Sequence, residues 1–437
     1  MNFISKKILG GLLLASAIPA TLLMTSCAST VDAPFETGIT EDTEKYYGEK
    51  ITEHSFTTPE KVIRKTMLIT AGGLINDKAF NQSAWESMLL YKQQAGITDK
   101  DTITYRITTD DGMLSSMYDQ ALDGGYKTWV LTGFQQGTLL QAWFNEGDNL
   151  QKFKDEKIVV VGVDWNGETF MPKGQFLGLG FKTEEPSWVV GYAASKFLST
   201  TDKPYLSSFG GGIFDGVTDF NNGFLQGMLD WNTENPLNKV KFYSGNKPTS
   251  SINLNTGFVI TPEAMQTIEG IVGIGEDVPQ IILPVSGSLT TTTIDNINDK
   301  QSSQMVIGVD SDQSLAFPND KGKFFSSVEK KVAVGVYKAL ILLAGIPLDF
   351  ATCDTTDVGF QGKFVEGTTN AFVKYGFDKG LVGYSSSTLS GPSVVQANKF
   401  LRDAFKIFTD TPPTFEKMTD ASKNQDILDG IVVKINL

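Results

Sequence analysis

Apolar residues in this chain fall into short unbroken runs, separated by stretches in which they recur every three or four positions. Runs of four to six between turn formers read as strands buried on both faces, and the three-to-four spacing reads as helix. The runs predict strands at 65–70, 102–107, 128–131, 158–163, 205–209, 239–243, 280–285 and 305–309. Helices are predicted at 81–94, where Ala84, Trp85, Met88 and Leu89 share one face, and at 114–122, 138–144, 187–198, 220–229, 262–272, 292–297 and 328–343. In the last 50 residues only 393–407 shows a helical pattern. Strand and helix alternating along the chain predict an α/β fold of parallel sheets flanked by helices, with ligands bound beyond the carboxyl ends of the strands.

The first residues break this pattern. Lys6 and Lys7 precede an apolar run from Ile8 to Met24 that Pro19 interrupts, and the run ends at Met24-Thr25-Ser26-Cys27. A basic start, an apolar middle and small residues at a cleavage point predict a signal peptide over 1–26. A membrane-crossing helix needs roughly 20 apolar residues, more than this run supplies. Cys27 directly after small residues resembles the lipobox of bacterial lipoproteins, in which the thiol is acylated and becomes the new N-terminus. Two acyl chains suffice for stable membrane anchoring. Residues 27–60 are rich in Thr, Glu and Asp and read as a solvated, lipidated tether, which as flexible coil reaches ~30 Å.

About 375 residues follow the tether, a length suited to two domains. The formal charge of −13 becomes −15 once Lys6 and Lys7 are removed, which argues against nucleic acid or an anionic membrane surface as partner. The single histidine, His54, lies in the tether, and Cys353 is the only cysteine besides Cys27. That leaves no material for a Ser-His-Asp triad or a zinc site, so no catalytic residues, metal or cofactor are expected. Gly210-Gly211-Gly212 is followed by no Gly-Lys-Ser/Thr and reads as a strand-to-helix turn.

One long run carries more information. Ile69 to Glu86, containing Asp77-Lys78-Ala79-Phe80-Asn81-Gln82, resembles the opening of the basic membrane protein family, nucleoside-receptor lipoproteins of ABC importers typified by purine nucleoside receptor A. Further similarity follows in order at Gly133-Phe134, Gly162-Val163-Asp164, Phe181 to Glu185, Phe220 to Gly227 and Ile307 to Gln313. The resemblance implies a two-lobed class I periplasmic-binding-protein fold with a cleft between the lobes. The lobes are expected as 61–180 plus about 328–355, and 181–327 plus part of 356–437. It also implies capture of a nucleoside, of the purine class that typifies the family, and delivery to an ABC permease from the outer face of the cell membrane, without catalysis. Two other functions stay open: a sugar receptor on the same fold, and a surface lipoprotein with a degenerate cleft.

The resemblance assigns seven ligand-binding candidates. Phe80 matches the family's stacking phenylalanine, against the alternative of a core residue of its helix. Asn81 matches a base-edge amide, or caps the helix. Asp164 matches a cleft aspartate, or forms an Asx turn before Trp165-Asn166-Gly167. Phe258 corresponds to a second stacking plate. Gly287 lets ribose approach the backbone, or ends a strand. Asp310 is suited to accept both ribose hydroxyls, and Lys330, read as the start of a helix, reaches the same sugar unless it is solvated or Lys331 takes its place. At position 71, where the family carries an aspartate, this chain has Ala71.

Overall fold

The computed structural model of the chain describes residues 63–437 apart from 109, 245–247, 276, 347–361 and 419–420. The signal peptide, Cys27, the tether with His54, and Cys353 all lie outside the described residues. No helix among the described residues is long and apolar enough to cross a membrane.

Two six-stranded sheets form two lobes. The first begins with β1 (Thr66–Thr70), β2 (Ile103–Arg106), β3 (Thr128–Thr132), β4 (Val159–Val163) and β5 (Phe176–Phe181), connected through α1 (Phe80–Gln94), α2 (Leu114–Asp123), α3 (Gln135–Phe144) and α4 (Asn149–Asp155). The second holds β6 (Tyr205–Gly210), β7 (Lys241–Phe242), β8 (Ile281–Val285), β9 (Met305–Asp310) and β10 (Phe324–Lys330), with α5 (Glu184–Leu198), α6 (Asp215–Glu234), α7 (Pro262–Ile271), α8 (Leu289–Asp299) and the short α9 (Gln313–Ala316). The chain then returns to the first lobe for α10 (Val332–Leu343) and β11 (Ala371–Tyr375). It ends in the second with β12 (Val382–Tyr384), α11 (Ser393–Asp410) and α12 (Ala421–Asn436).

The spatial orders are β11-β5-β4-β3-β1-β2 and β12-β10-β9-β8-β6-β7. Every pairing is parallel except that of β12 with β10. The chain therefore crosses between lobes three times: after Phe181, after Lys330 and between Tyr375 and Val382. Burial explains the strands. β1, β3, β4 and β8 are buried at every position, as expected for parallel strands covered by helices on both faces.

The structure departs from the sequence pattern in several places, β5 and α4 among them, where no element was expected. Residues 328–343, expected as one helix, divide: Val328–Lys330 complete β10 and only Val332–Leu343 is helical. Ser326 and Ser327 hide the strand from a hydrophobicity reading. Their hydroxyls are satisfied inside the sheet, Ser326 donating to the Ser385 carbonyl at 2.7 Å and Ser327 accepting from the backbone N–H of Gln313 at 3.2 Å, so polar residues are buried without loss. β11 and β12 were not anticipated because they pair with strands some 200 and 50 residues earlier in the chain. The helix α12 was also missed. It covers the edge of the second sheet, where the Asn436 side chain accepts from the Phe242 N–H and donates to the Phe242 carbonyl, both at 2.9 Å, in place of a neighbouring strand.

Candidate functional site

The carboxyl ends of the strands in both sheets face one cleft with an empty volume of about 620 Å³. β1 delivers Ala71 and Gly72 to it, β3 Gly133 and Phe134, β4 Asp164, β8 Ser286 and Gly287, β9 Asp310, and β10 Lys330. The cleft lies where parallel sheets leave their strand ends open, in keeping with the general rule for α/β folds. All seven sequence-derived candidates, Phe80, Asn81, Asp164, Phe258, Gly287, Asp310 and Lys330, line it.

Its charged centre is Lys330, which is 3% exposed. The ammonium donates to Asp164 Oδ2 at 2.7 Å, lies 3.4 Å from Asp310 Oδ1, and sits 5.0 Å from the ring centroids of both Phe80 and Phe220. Contrary to the expectation from the sequence, Lys330 does not start a helix. It is the last residue of β10, at the second crossing between lobes, and this is why it is buried rather than solvated. Its neighbour Lys331 is not among the lining residues. Burial works against the Lys330 charge, but Asp164 and then Asp310 outweigh it and raise its pKa above the ordinary lysine value. Burial also raises the Asp310 carboxyl, against the opposing pull of Lys330.

Asp164 and Asp310 hold matching positions in the two lobes. Each ends a Gly-Val-Asp run at the close of a strand, and each takes a left-handed backbone, with φ of 69° and 66°. Aspartate tolerates this region better than most side chains, and such strain persists only where surrounding structure enforces it. Asp164 makes no Asx turn. That turn belongs to Asn166, whose Oδ1 accepts from the Glu168 N–H at 2.9 Å.

Asn81 does not cap α1. Asp77 does so, accepting from the N–H groups of Ala79, Asn81 and Gln82 at 2.9, 3.0 and 3.1 Å. The Asn81 amide is tied on both sides, donating to Asp77 Oδ2 at 3.1 Å and accepting from the Thr132 hydroxyl at 2.7 Å. Burial pushes the Asp77 carboxyl up to about 6 although those N–H groups oppose it. Phe80, half-buried, packs on the first lobe's core, and Phe258 on the second's. Phe258 lies close against the backbone of Gly211, where a Cβ would run into its ring, so the glycine run at the end of β6 gives this aromatic room. A Cβ on Gly287 would come 3.2 Å from the Ala79 Cβ, so at this point the two lobes are in near contact. Ala71 presents only a methyl group to the cleft.

The lobes are held together by more than Lys330. Phe134 and Phe214, from opposite lobes, stack with planes 16° apart. The Lys78 carbonyl accepts from Ser311 Oγ at 3.3 Å and Gln313 Nε2 at 3.2 Å. Lys374 on β11 donates to Asp219 on α6 at 2.7 Å. Burial first, and then the neighbouring Glu184, push the Asp219 carboxyl up to about 8. Sequence reasoning did not select Asp77, Phe134, Gln135, Phe214 or Phe220 as lining residues. For Gln135 and Phe214 the available signal was position alone, since both follow closely on a strand-exit glycine.

Residues 63–242 match the family described as ABC transporter substrate-binding protein PnrA-like. The chain is 25% identical over 169 residues to the nucleoside-binding protein BmpA of a Lactococcus lactis ABC transporter, a match that covers 37% of this chain and only 42% of that relative. It is 25% identical over 329 residues to a CD4+ T-cell-stimulating antigen of Listeria innocua, covering 73% and 79%. Among solved structures, an ABC transporter solute-binding protein of Aeropyrum pernix superposes with a TM-score of 0.60 at 15% identity, over 85% of this chain and 99% of its own. That likeness establishes the two-lobed fold.

Proposed function

Because residues 63–242 match the PnrA-like family of ABC transporter substrate-binding proteins, an extracytoplasmic class of receptor, we propose that this chain's cleft captures a nucleoside and hands it to a membrane permease. The observation that carries this reading is the pairing of two kinds of group in one cleft. Phe80 and Phe258 belong to different lobes and offer aromatic faces to a flat base, while Asp164, Lys330 and Asp310 form a charged cluster suited to a ribose diol. A carboxylate accepts from both hydroxyls of a diol, and an ammonium donates to them. Stacking of a base on an aromatic side chain is worth ~1–3 kcal/mol. The 25%-identical Lactococcus relative, named for nucleoside binding, points the same way.

The protein is a receptor and not an enzyme on this reading, and acylated Cys27 with its tether holds it at the outer face of the membrane. Titrating inosine, guanosine and adenosine by calorimetry, with free ribose as control, tests the assignment. Nucleoside binding at least tenfold tighter than ribose is expected. Binding of ribose alone would make the protein a sugar receptor, and binding of none of these would leave a surface lipoprotein with a degenerate cleft.

A further inference from the structure

The polar side chains of the cleft are almost all committed to partners within the protein. Asp164, Lys330 and Asp310 hold one another, and Asp77 and Asn81 are tied to each other, to backbone N–H groups and to Thr132. The Ser286 and Ser288 hydroxyls donate to the carbonyls of Gly257 and Phe258. Gln135 is different: among the described residues its side-chain amide has no hydrogen-bond partner, although it lines the cleft. It is the first residue of α3, directly beyond the exit of β3, and is only partly exposed. Its Nε2 lies 3.3 Å, and the Phe258 ring 3.5 Å, from the same point above Gly72, where a Cβ would sit. The amide and the Phe258 ring therefore border the same space above Gly72, and a flat ring stacked on Phe258 comes within reach of Gln135.

We propose that Gln135 is the specificity-determining residue that reads the edge of the captured base, an inference that rests on the nucleoside reading above. An amide offers one acceptor and two donors, and by turning over it can present either order of donor and acceptor to a ligand. Adenine shows a donor beside an acceptor on its pairing edge, and hypoxanthine shows the same two in reverse. One glutamine matches both, so the cleft accepts 6-amino and 6-oxo purines alike. A carboxylate at this position has acceptors only. It would suit guanine, whose N1 and N2 both carry hydrogens, and would face the bare N1 of adenine with a second acceptor.

Gln135→Glu and Gln135→Leu, titrated at pH 8 with adenosine, inosine and guanosine alongside the unaltered protein, test this. Glu at the first turn of a helix is favoured by the helix dipole, so folding is not put at risk, and the melting temperature of each variant checks it. The unaltered protein is expected to bind adenosine and inosine within about tenfold of each other. In Gln135→Glu the preference for guanosine over adenosine should rise by roughly 5- to 150-fold, the effect of opposing two acceptors in a dry site. Gln135→Leu should weaken all three. A folded Gln135→Glu protein with the original ranking overturns the role of Gln135 while the nucleoside reading stands; if the unaltered protein binds no nucleoside, both fall.

Discussion

Replacing Lys330 with Met keeps most of the side chain's bulk and removes its charge. Three groups react. Lys330 is 3% exposed, and its two carboxylate partners are about one-tenth exposed at the side chain, so water can do little to replace the lost ammonium. Breaking a buried ion pair from one side costs about 3–5 kcal/mol. At roughly 2–4 °C per kcal/mol for domains of this size, the melting temperature at pH 7 should fall by on the order of 10 °C. The variant should also acquire a pH dependence. Burial already raises Asp310 above the ordinary aspartate range, and Lys330 is the main influence holding it down. Without Lys330 the folded-state pKa rises further, so Asp310 costs stability while ionised and ceases to do so as pH falls through that pKa. The deficit of Lys330→Met should therefore shrink between pH 7 and pH 5. Lys330 in the unaltered protein has a raised pKa and stays charged throughout that window. Scanning calorimetry at pH 5, 6, 7 and 8 measures both effects. Adding Asp310→Asn should recover a substantial part of the loss, because it removes the carboxylate left without a counter-charge. A Lys330→Met protein that melts within a degree or two of the original at pH 7, or whose deficit grows on acidification, would refute the view that Lys330 binds the two lobes' aspartates together.

Three further outcomes are expected. Phe80→Ala and Phe258→Ala should each weaken purine nucleoside binding by roughly 5- to 150-fold at one stacking face apiece. Loss of about 3–5 kcal/mol of stability with affinity intact would instead mark either ring as core packing. Asp219 keeps in the folded state a proton that the unfolded chain has already lost, up to about pH 8, so the melting temperature should decline as pH rises from about 5 toward 8 and level off above that. Asp219→Asn should flatten that decline, and an unchanged slope would remove Asp219 from the account. Cys27→Ser should release the mature protein from membranes, as membrane fractionation and mass spectrometry of the N-terminal peptide would show; continued full partition with membranes would rule out acylation as the anchor.

By itself the sequence determined those features whose energetics are local. Parallel strands buried on both faces are written as unbroken apolar runs, so β1, β3, β4 and β8 could be read directly, and helices with a covered face, such as α1 and α7, show the matching period. The lining positions were assigned through the family resemblance, and position in the fold agrees with it, since a residue just past the carboxyl end of a parallel strand faces the cleft, as Asp164, Gly287 and Asp310 do. Tertiary structure decided whatever depends on a distant partner. Ser326 and Ser327 sit within a strand because Ser385 and Gln313 satisfy their polar atoms. Ala371–Tyr375 joins the first sheet because β5 has a free edge, and Asn436 is fixed by the otherwise unpaired edge of β7. Lys330 shows the difference most clearly. Lysine is among the residues least often buried, so apart from the family resemblance a solvated side chain was the alternative at this position. Only the meeting of Asp164 from one lobe with Asp310 from the other makes its burial favourable, and those residues lie 166 and 20 positions away along the chain. Gln135 is the converse case: the role proposed for it rests on a side-chain amide with no hydrogen-bond partner among the described residues, which only the tertiary structure reveals.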